Sequence, residues 1–361
     1  MTLKKSLALA AAFILFAFAL SCGDDENGPG PTPPPGWEKV NVHAAAQAVT
    51  ISIAVDGDGG AHLAFVDNSG PSTLVYAHYY DGSSSINDYR SSGFDEGQDA
   101  ALALDGGNKP HVAFYSGRPN YDLLYKVMGG GFVVVDSEGN VGRWPSVKVD
   151  GAGHPHISYY DETNGDLKYA RFDGSKWRLD AVDTTGDTGL HTSLALDTRG
   201  NSHVAYYDRT DGSLKYARRE KGKWTLETAD GAVNVGKRPT LVLDGAGDPH
   251  ILYNDVGNGR LKYATRVGGT WQATSLTFAV HGDTGAALTL DSSGEPHVAF
   301  YNSSAKNVTY AHKSGGEWAT EVVAESYDQG GRCGLALGSN DKPHVTYYDK
   351  AAGQVVYAHK E

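Results

Sequence analysis

Seven histidines recur at nearly fixed spacing: His62, His111, His156, His203, His250, His297 and His344, separated by 49, 45 and then four times by 47 residues. Histidine in quantity invites a metal or acid–base reading. Each copy, however, sits in the same string (AHLAFVD at 61, PHVAFYS at 110, PHISYYD at 155, SHVAYYD at 202, PHILYND at 249, PHVAFYN at 296, PHVTYYD at 343). Six follow an Asp by six residues (Asp56, Asp105, Asp150, Asp197, Asp244, Asp291), with Gly338 in the seventh place. Seven copies cannot share one site, so the reading is structural: each ring satisfies a buried corner of its own repeat. His154 and His156 form a His-x-His pair without further ligands at zinc spacing. Asp56–Asp67 looks like a calcium loop but lacks its mid-loop Gly. No metal or other cofactor is expected.

Chemistry is better sought where the repeats differ, because a ligand without sevenfold symmetry needs unequal units. Counting three residues back from the first large apolar residue of each repeat's opening strand gives Ala48, Asp99, Trp144, His191, Arg238, Gly285 and Arg332. The residues before them are Gln47, Gln98, Arg143, Leu190, Lys237, Thr284 and Gly331. Arg143, Trp144, His191, Lys237, Arg238 and Arg332 would form a cationic, partly aromatic cluster in a chain of net charge −12, suited to an anionic ligand such as an acidic glycan. Beside them, the repeated strings end in Tyr160–Asp161 and Tyr207–Asp208. Aromatic faces next to carboxylates suit sugar stacking and hydroxyl recognition, although such tyrosines also serve simply as packing.

The elements that position these groups follow from the repeat. Each unit resolves into four short runs of β-branched and aromatic residues separated by turn residues, here strands A to D. In the fourth unit A is Ser193–Asp197, B is Ser202–Asp208, C is Leu214–Arg218, and D opens at Trp224. The D-strand anchor falls at Ile86, Phe132, Trp177, Trp224, Trp271 and Trp318; the next would lie past the last residue, and Trp37 supplies it. The expected fold is all-β, a seven-bladed β-propeller of four-stranded antiparallel blades over 37–361, closed by the N-terminal strand. A is then innermost, and the D-to-A loops share a rim with the B-to-C turns. The strand-C tyrosines, Tyr76 through Tyr357, repeat too faithfully to be an active site and read as core.

Residues 1–22 read as an export signal, with Lys4, Lys5 and an apolar run from Leu7 to Leu20. Ala19-Leu20-Ser21-Cys22 resembles the bacterial lipoprotein lipobox, which implies lipidation at Cys22; a plain secretory cleavage is the alternative. The Gly-Asp-Asp that follows lacks the Asp directly after Cys22 that resembles an inner-membrane retention signal, so the expected address is the outer membrane or cell surface. Residues 23–36 (GDDENGPGPTPPPG) read as a disordered tether. Removing the signal takes away two lysines and no acid, which leaves 29 basic against 43 acidic residues. Nucleic acid is therefore not an expected partner, the membrane is met only through the lipid, and a monomer is expected. Cys333 has no intramolecular partner.

The Gly-Trp turns between C and D, such as FDGSKW at 172, sit where sialidase-like and BNR-repeat propellers carry their Asp-box, and GRWPSVKVDG at 142 is similar to the segment with which sialidases enter their first blade. That resemblance implies the propeller fold and admits a glycoside hydrolase, with Arg143, Arg238 and Arg332 clamping a carboxylate. No dedicated carboxylate pair or Tyr nucleophile stands out among so many equivalent Asp and Tyr. Three functions stay open, in this order: a binding module for a glycan or protein partner through the rim of D-to-A loops, a scaffold, and an enzyme.

Overall fold

The computed structural model describes residues 36–45, 47–70, 72–89, 96–282, 284–325 and 333–360. The expected signal, nearly all of the tether, Cys22 and Arg332 lie outside them. The described strands form seven four-stranded antiparallel sheets. Six run in simple A-B-C-D order, as in Val141–Val149, Pro155–Asp161, Asp166–Phe172 and Trp177–Asp183 of blade 3. In blade 7 the fourth strand is Glu38–Ala44, which pairs with the last strand, Gln354–His359. The expected closure by the N-terminal strand is what the chain does. Trp37 packs edge-on against Tyr310 at 5.6 Å, as Trp177, Trp224 and Trp271 do against Tyr125, Tyr169 and Tyr216 of the preceding blade.

Each blade's faces pack on its neighbours, so the B strands are buried along nearly their whole length, and in blades 3 and 4 from end to end. Polar pairs bind blade to blade. The Tyr159 hydroxyl donates to Asp136 on the previous blade's D strand, as Tyr206 does to Asp183 and Tyr253 to Asp230. Around the axis, serine hydroxyls of one A strand accept N–H groups of the next: Leu102 to Ser52, Leu194 to Ser146, Leu241 to Ser193. These bonds satisfy inner-edge amides that no strand pairs with.

The repeated histidines occupy the A-to-B corners as expected. His62 Nδ1 lies 2.7 Å from the Tyr76 hydroxyl and its Nε2 3.1 Å from Asp56. The same Asp–His–Tyr chain recurs at Asp150–His156–Tyr169 and Asp291–His297–Tyr310. The other oxygen of each Asp accepts two turn N–H groups, from residues two and four places on, as Ala152 and His154 donate to Asp150. The strand-C tyrosines are thus core with a polar tip.

Candidate functional site

The A strands of all seven blades line a cavity of about 280 Å³ on the axis. At the end where the D-to-A loops arrive, its wall is made by Thr50, Asp99, Trp144, His191, Arg238 and Gly285. Five of these six are the positions singled out by counting along the repeats. Blade 1 corrects the count: its residue is Thr50, not Ala48. Ile53 pairs with Leu63 as Val147 pairs with Ile157, so by register Ile51 stands where Pro145 does, and the count starts from Ile53 although Ile51 is itself buried. Arg332 is at the corresponding place in blade 7 and lies outside the described residues.

Three consecutive blades present this wall by one device. In blades 3, 4 and 5 the A strand breaks register twice against strand B, around Arg143, Leu190 and Lys237. Trp144, His191 and Arg238 then take left-handed backbone, with φ of 47°, 57° and 53°. Side chains resist that region, and such strain persists where the surroundings impose it. Here they do. Gly189, two residues earlier, has φ 94°, and a Cβ on it would stand 2.5 Å from the Leu167 Cα; Gly142 and Gly236 meet Leu123 and Leu214 in the same way. The chain presses flat on the previous blade and must kink to enter the axis. The sequence signal, visible afterwards, is a Gly four residues before Ser or Thr in GRWPS, GLHTS and GKRPT.

The side chains gather as follows. The Trp144 indole meets the His191 ring edge-on at 4.5 Å and Tyr160 at 5.5 Å, while His191 stacks on Tyr207 at 6.5 Å. The Arg143 guanidinium lies 5.2 Å from the Trp144 ring, and Lys237 Nζ 5.7 Å from that of Tyr207. His191 is 8% exposed, and its Nδ1 has no hydrogen-bond partner. Burial, then Arg238, Lys237 and Arg143, push its pKa well below the usual range, so the ring is neutral. Asp99 is 4% exposed and accepts weakly from the Thr50 hydroxyl and the Trp144 N–H, each at 3.4 Å. Burial raises its pKa against the pull of Arg238, the Trp144 N–H and Arg143.

The rim is less cationic than its composition suggests. Arg143 is paired with Glu162 at 2.8 Å, and Asp99 sits within the field of Arg238. The two carboxylates expected beside the tyrosines serve the fold. Asp161, 1% exposed, accepts from the N–H groups of Thr163 and Asn164 and from the Asn164 amide. Asp208, 3% exposed, accepts from the Asp211 N–H and lies 3.5 Å from Lys215. Both cap B-to-C turns. Tyr160 and Tyr207 are 3% and 5% exposed and form a small cluster with Leu190 under Trp144. Tyr160 also donates to Asp187 of the next D-to-A loop at 2.9 Å. They are the floor beneath Trp144 and His191, not open stacking platforms.

No family model matches the chain, and no curated relative does. Solved structures do, at the level of fold. An Aleuria aurantia lectin mutant in complex with Fucα1-6GlcNAc is 16% identical, with a TM-score of 0.54 over 78% of this chain and 97% of that one. The polysaccharide lyase Uly1 is 11% identical, at 0.55 over 85% and 88%. A mutant of the NanB sialidase of Streptococcus pneumoniae is 11% identical, at 0.51 over 91% and 71%. The chain is an all-β seven-bladed propeller, and carbohydrate-binding and carbohydrate-cleaving proteins are among those that share its architecture.

Proposed function

We propose that this protein is a lipid-anchored, cell-surface propeller that binds a glycan, an acidic one in preference, at the axial mouth walled by Trp144, His191 and Arg238. The observation that carries this is the break of symmetry: three neighbouring blades accept left-handed backbone to bring an indole, an unpartnered imidazole nitrogen and a guanidinium to one opening. The same close packing of a glycine on the previous blade recurs in all three, and each time it turns a different side chain into the opening. An indole face stacks on a sugar ring. Arg238 binds a carboxylate in bidentate fashion, Asp99 and Thr50 take hydroxyls, and the cavity is near the lower bound for small-ligand sites. The lipid on Cys22 holds the propeller at the outer membrane or cell surface.

The lectin among the structurally similar proteins supports this reading. An enzyme is disfavoured by the wall itself: among the described residues lining the cavity Asp99 is the single carboxylate, whereas the usual glycosidase routes need two. The test is a glycan array followed by titration of the best acidic oligosaccharide. Trp144→Ala and Arg238→Ala, each still folded by circular dichroism, should weaken binding about tenfold or more, and His203→Ala should leave affinity intact. Full affinity in both rim variants would refute the site, and oligosaccharide cleavage during the titration would favour the enzyme.

A further inference from the structure

Blade 1 departs from the other six at the outer end of its A-to-B corner. Asp56 and His62 are the ordinary pair, with Asp56 Oδ2 3.1 Å from His62 Nε2. Strand C adds His78 directly across from His62, with the two rings stacked at 4.2 Å and His78 Nε2 3.8 Å from the same carboxylate oxygen. The three ligand atoms lie within 4.8 Å of one another, the one such group among the described residues. His78 Nε2 is buried and has no hydrogen-bond partner.

Three features show a site and not a chance meeting. The first is separation: four ligands around an ion at about 2.0–2.1 Å stand roughly 3.3 Å apart, and 3.1 and 3.8 Å bracket that value. The second is support. Asp56 Oδ1 is held by the N–H groups of Asp58 and Gly60, which aims Oδ2 at the histidines. The Tyr76 hydroxyl lies 2.7 Å from His62 Nδ1 and accepts its proton when Nε2 offers a lone pair to a metal. The third is room. A Cβ on Gly60 would stand 2.6 Å from Asp56 Oδ2 and 2.7 Å from His78 Nε2, so only glycine leaves this space open. The corresponding residues in the other blades are Lys109, His154, Asn201, Asp248, Glu295 and Lys342. Opposite the repeated histidine those blades carry Val127, Arg171, Arg218, Thr265, His312 and His359. Blade 6 has the second histidine without the glycine, and blade 7 lacks the Asp.

We propose that Asp56, His62 and His78 bind a divalent transition-metal ion, zinc by the chemistry of the donors. Two imidazoles and one carboxylate suit zinc, whereas calcium and magnesium take oxygen donors alone. Three protein ligands leave the fourth position of a tetrahedral zinc to water or another small ligand. This site lies at the A-to-B corner, apart from the axial wall, and stands or falls separately from the glycan reading.

The full chain, stripped with a chelator, is titrated with Zn²⁺ and with Co²⁺. One Zn²⁺ should bind per chain, and Co²⁺ should give the visible absorption of a four-coordinate N/O site. His78→Ala removes a ligand, and Gly60→Asn fills the space with the residue blade 4 tolerates at Asn201. Both should stay folded by circular dichroism and lose zinc affinity at least about tenfold. His312→Ala, the same place in blade 6, should bind as the parent does. Absence of stoichiometric Zn²⁺ binding in the parent, or unchanged affinity in the folded His78→Ala and Gly60→Asn chains, overturns the proposal.

Discussion

The corner histidines make stability fall steeply on mild acidification. His203 and His344 are 2% and 8% exposed, and each Nδ1 lies 2.5 Å from a tyrosine hydroxyl, of Tyr216 and Tyr357. Both pKa values are lowered from 6.5 to about 4. Burial is the main cause in both. For His203, Asp197 at 3.7 Å opposes it, while Arg218 and Arg199 add to it; for His344 the neighbour is His359. A histidine with a depressed folded pKa binds its proton first in the unfolded state. Its contribution is therefore whole above about 6.5, shrinks as pH falls, and is spent near 4. The drop of about 2.5 units, at about 1.4 kcal/mol per unit, is roughly 3 kcal/mol for each residue. Two such residues rival the total stability of many domains, about 5–15 kcal/mol. The assay is urea denaturation between pH 7.5 and 4 with chelator present. Stability should begin to fall near pH 6.5, before the carboxylates titrate, and His344→Gln should flatten that slope by up to about 1.4 kcal/mol per pH unit. A stability that stays level down to pH 4.5 would refute the account of neutral, buried corners.

Three further outcomes follow from the same structure. Trp37, 3% exposed and set against Tyr310, fastens the ring, so Trp37→Ala should cost about 3–5 kcal/mol in urea melts; a chain starting at Ala46 should lose its cooperative transition. Gly189→Ala forces a Cβ to within 2.5 Å of the Leu167 backbone. It should destabilise by about 1–3 kcal/mol in the same melts and, by displacing His191, weaken glycan binding, which Gly200→Ala in an open turn should spare. Cys22→Ser should release the protein into the soluble fraction, checked by fractionation after a high-salt wash.

The fold was legible because its information is repeated. Seven copies of one string set the period, and the absence of a seventh anchor after Trp318 pointed to Trp37. The rim was legible in part, because Trp144, His191 and Arg238 differ at one place in the repeat. What they touch was not. Asp161 and Asp208 resemble rim ligands in sequence, yet a carboxylate two or three residues before turn amides caps that turn. Arg143 offers a free cation on paper and meets Glu162 because the D-to-A loop and the B-to-C turn share a rim. Long-range pairing of this kind has no local signature.

The two departures from symmetry are of different kinds, and the difference says where each can act. At the axis, glycines at 142, 189 and 236 change the backbone, and the side chains that follow are carried into a cavity shared by all blades. The A strands that carry them are joined blade to blade by serine bridges. At the blade 1 corner the backbone keeps the common turn, with Asp56 accepting the same two amides as its counterparts. There only side chains change, Gly60 making room and His78 adding a donor, so the site stays local to one blade. Substitutions at the corner should leave the axial mouth intact, and substitutions at the mouth should leave the corner's metal affinity intact, since additivity holds for sites that share no partners.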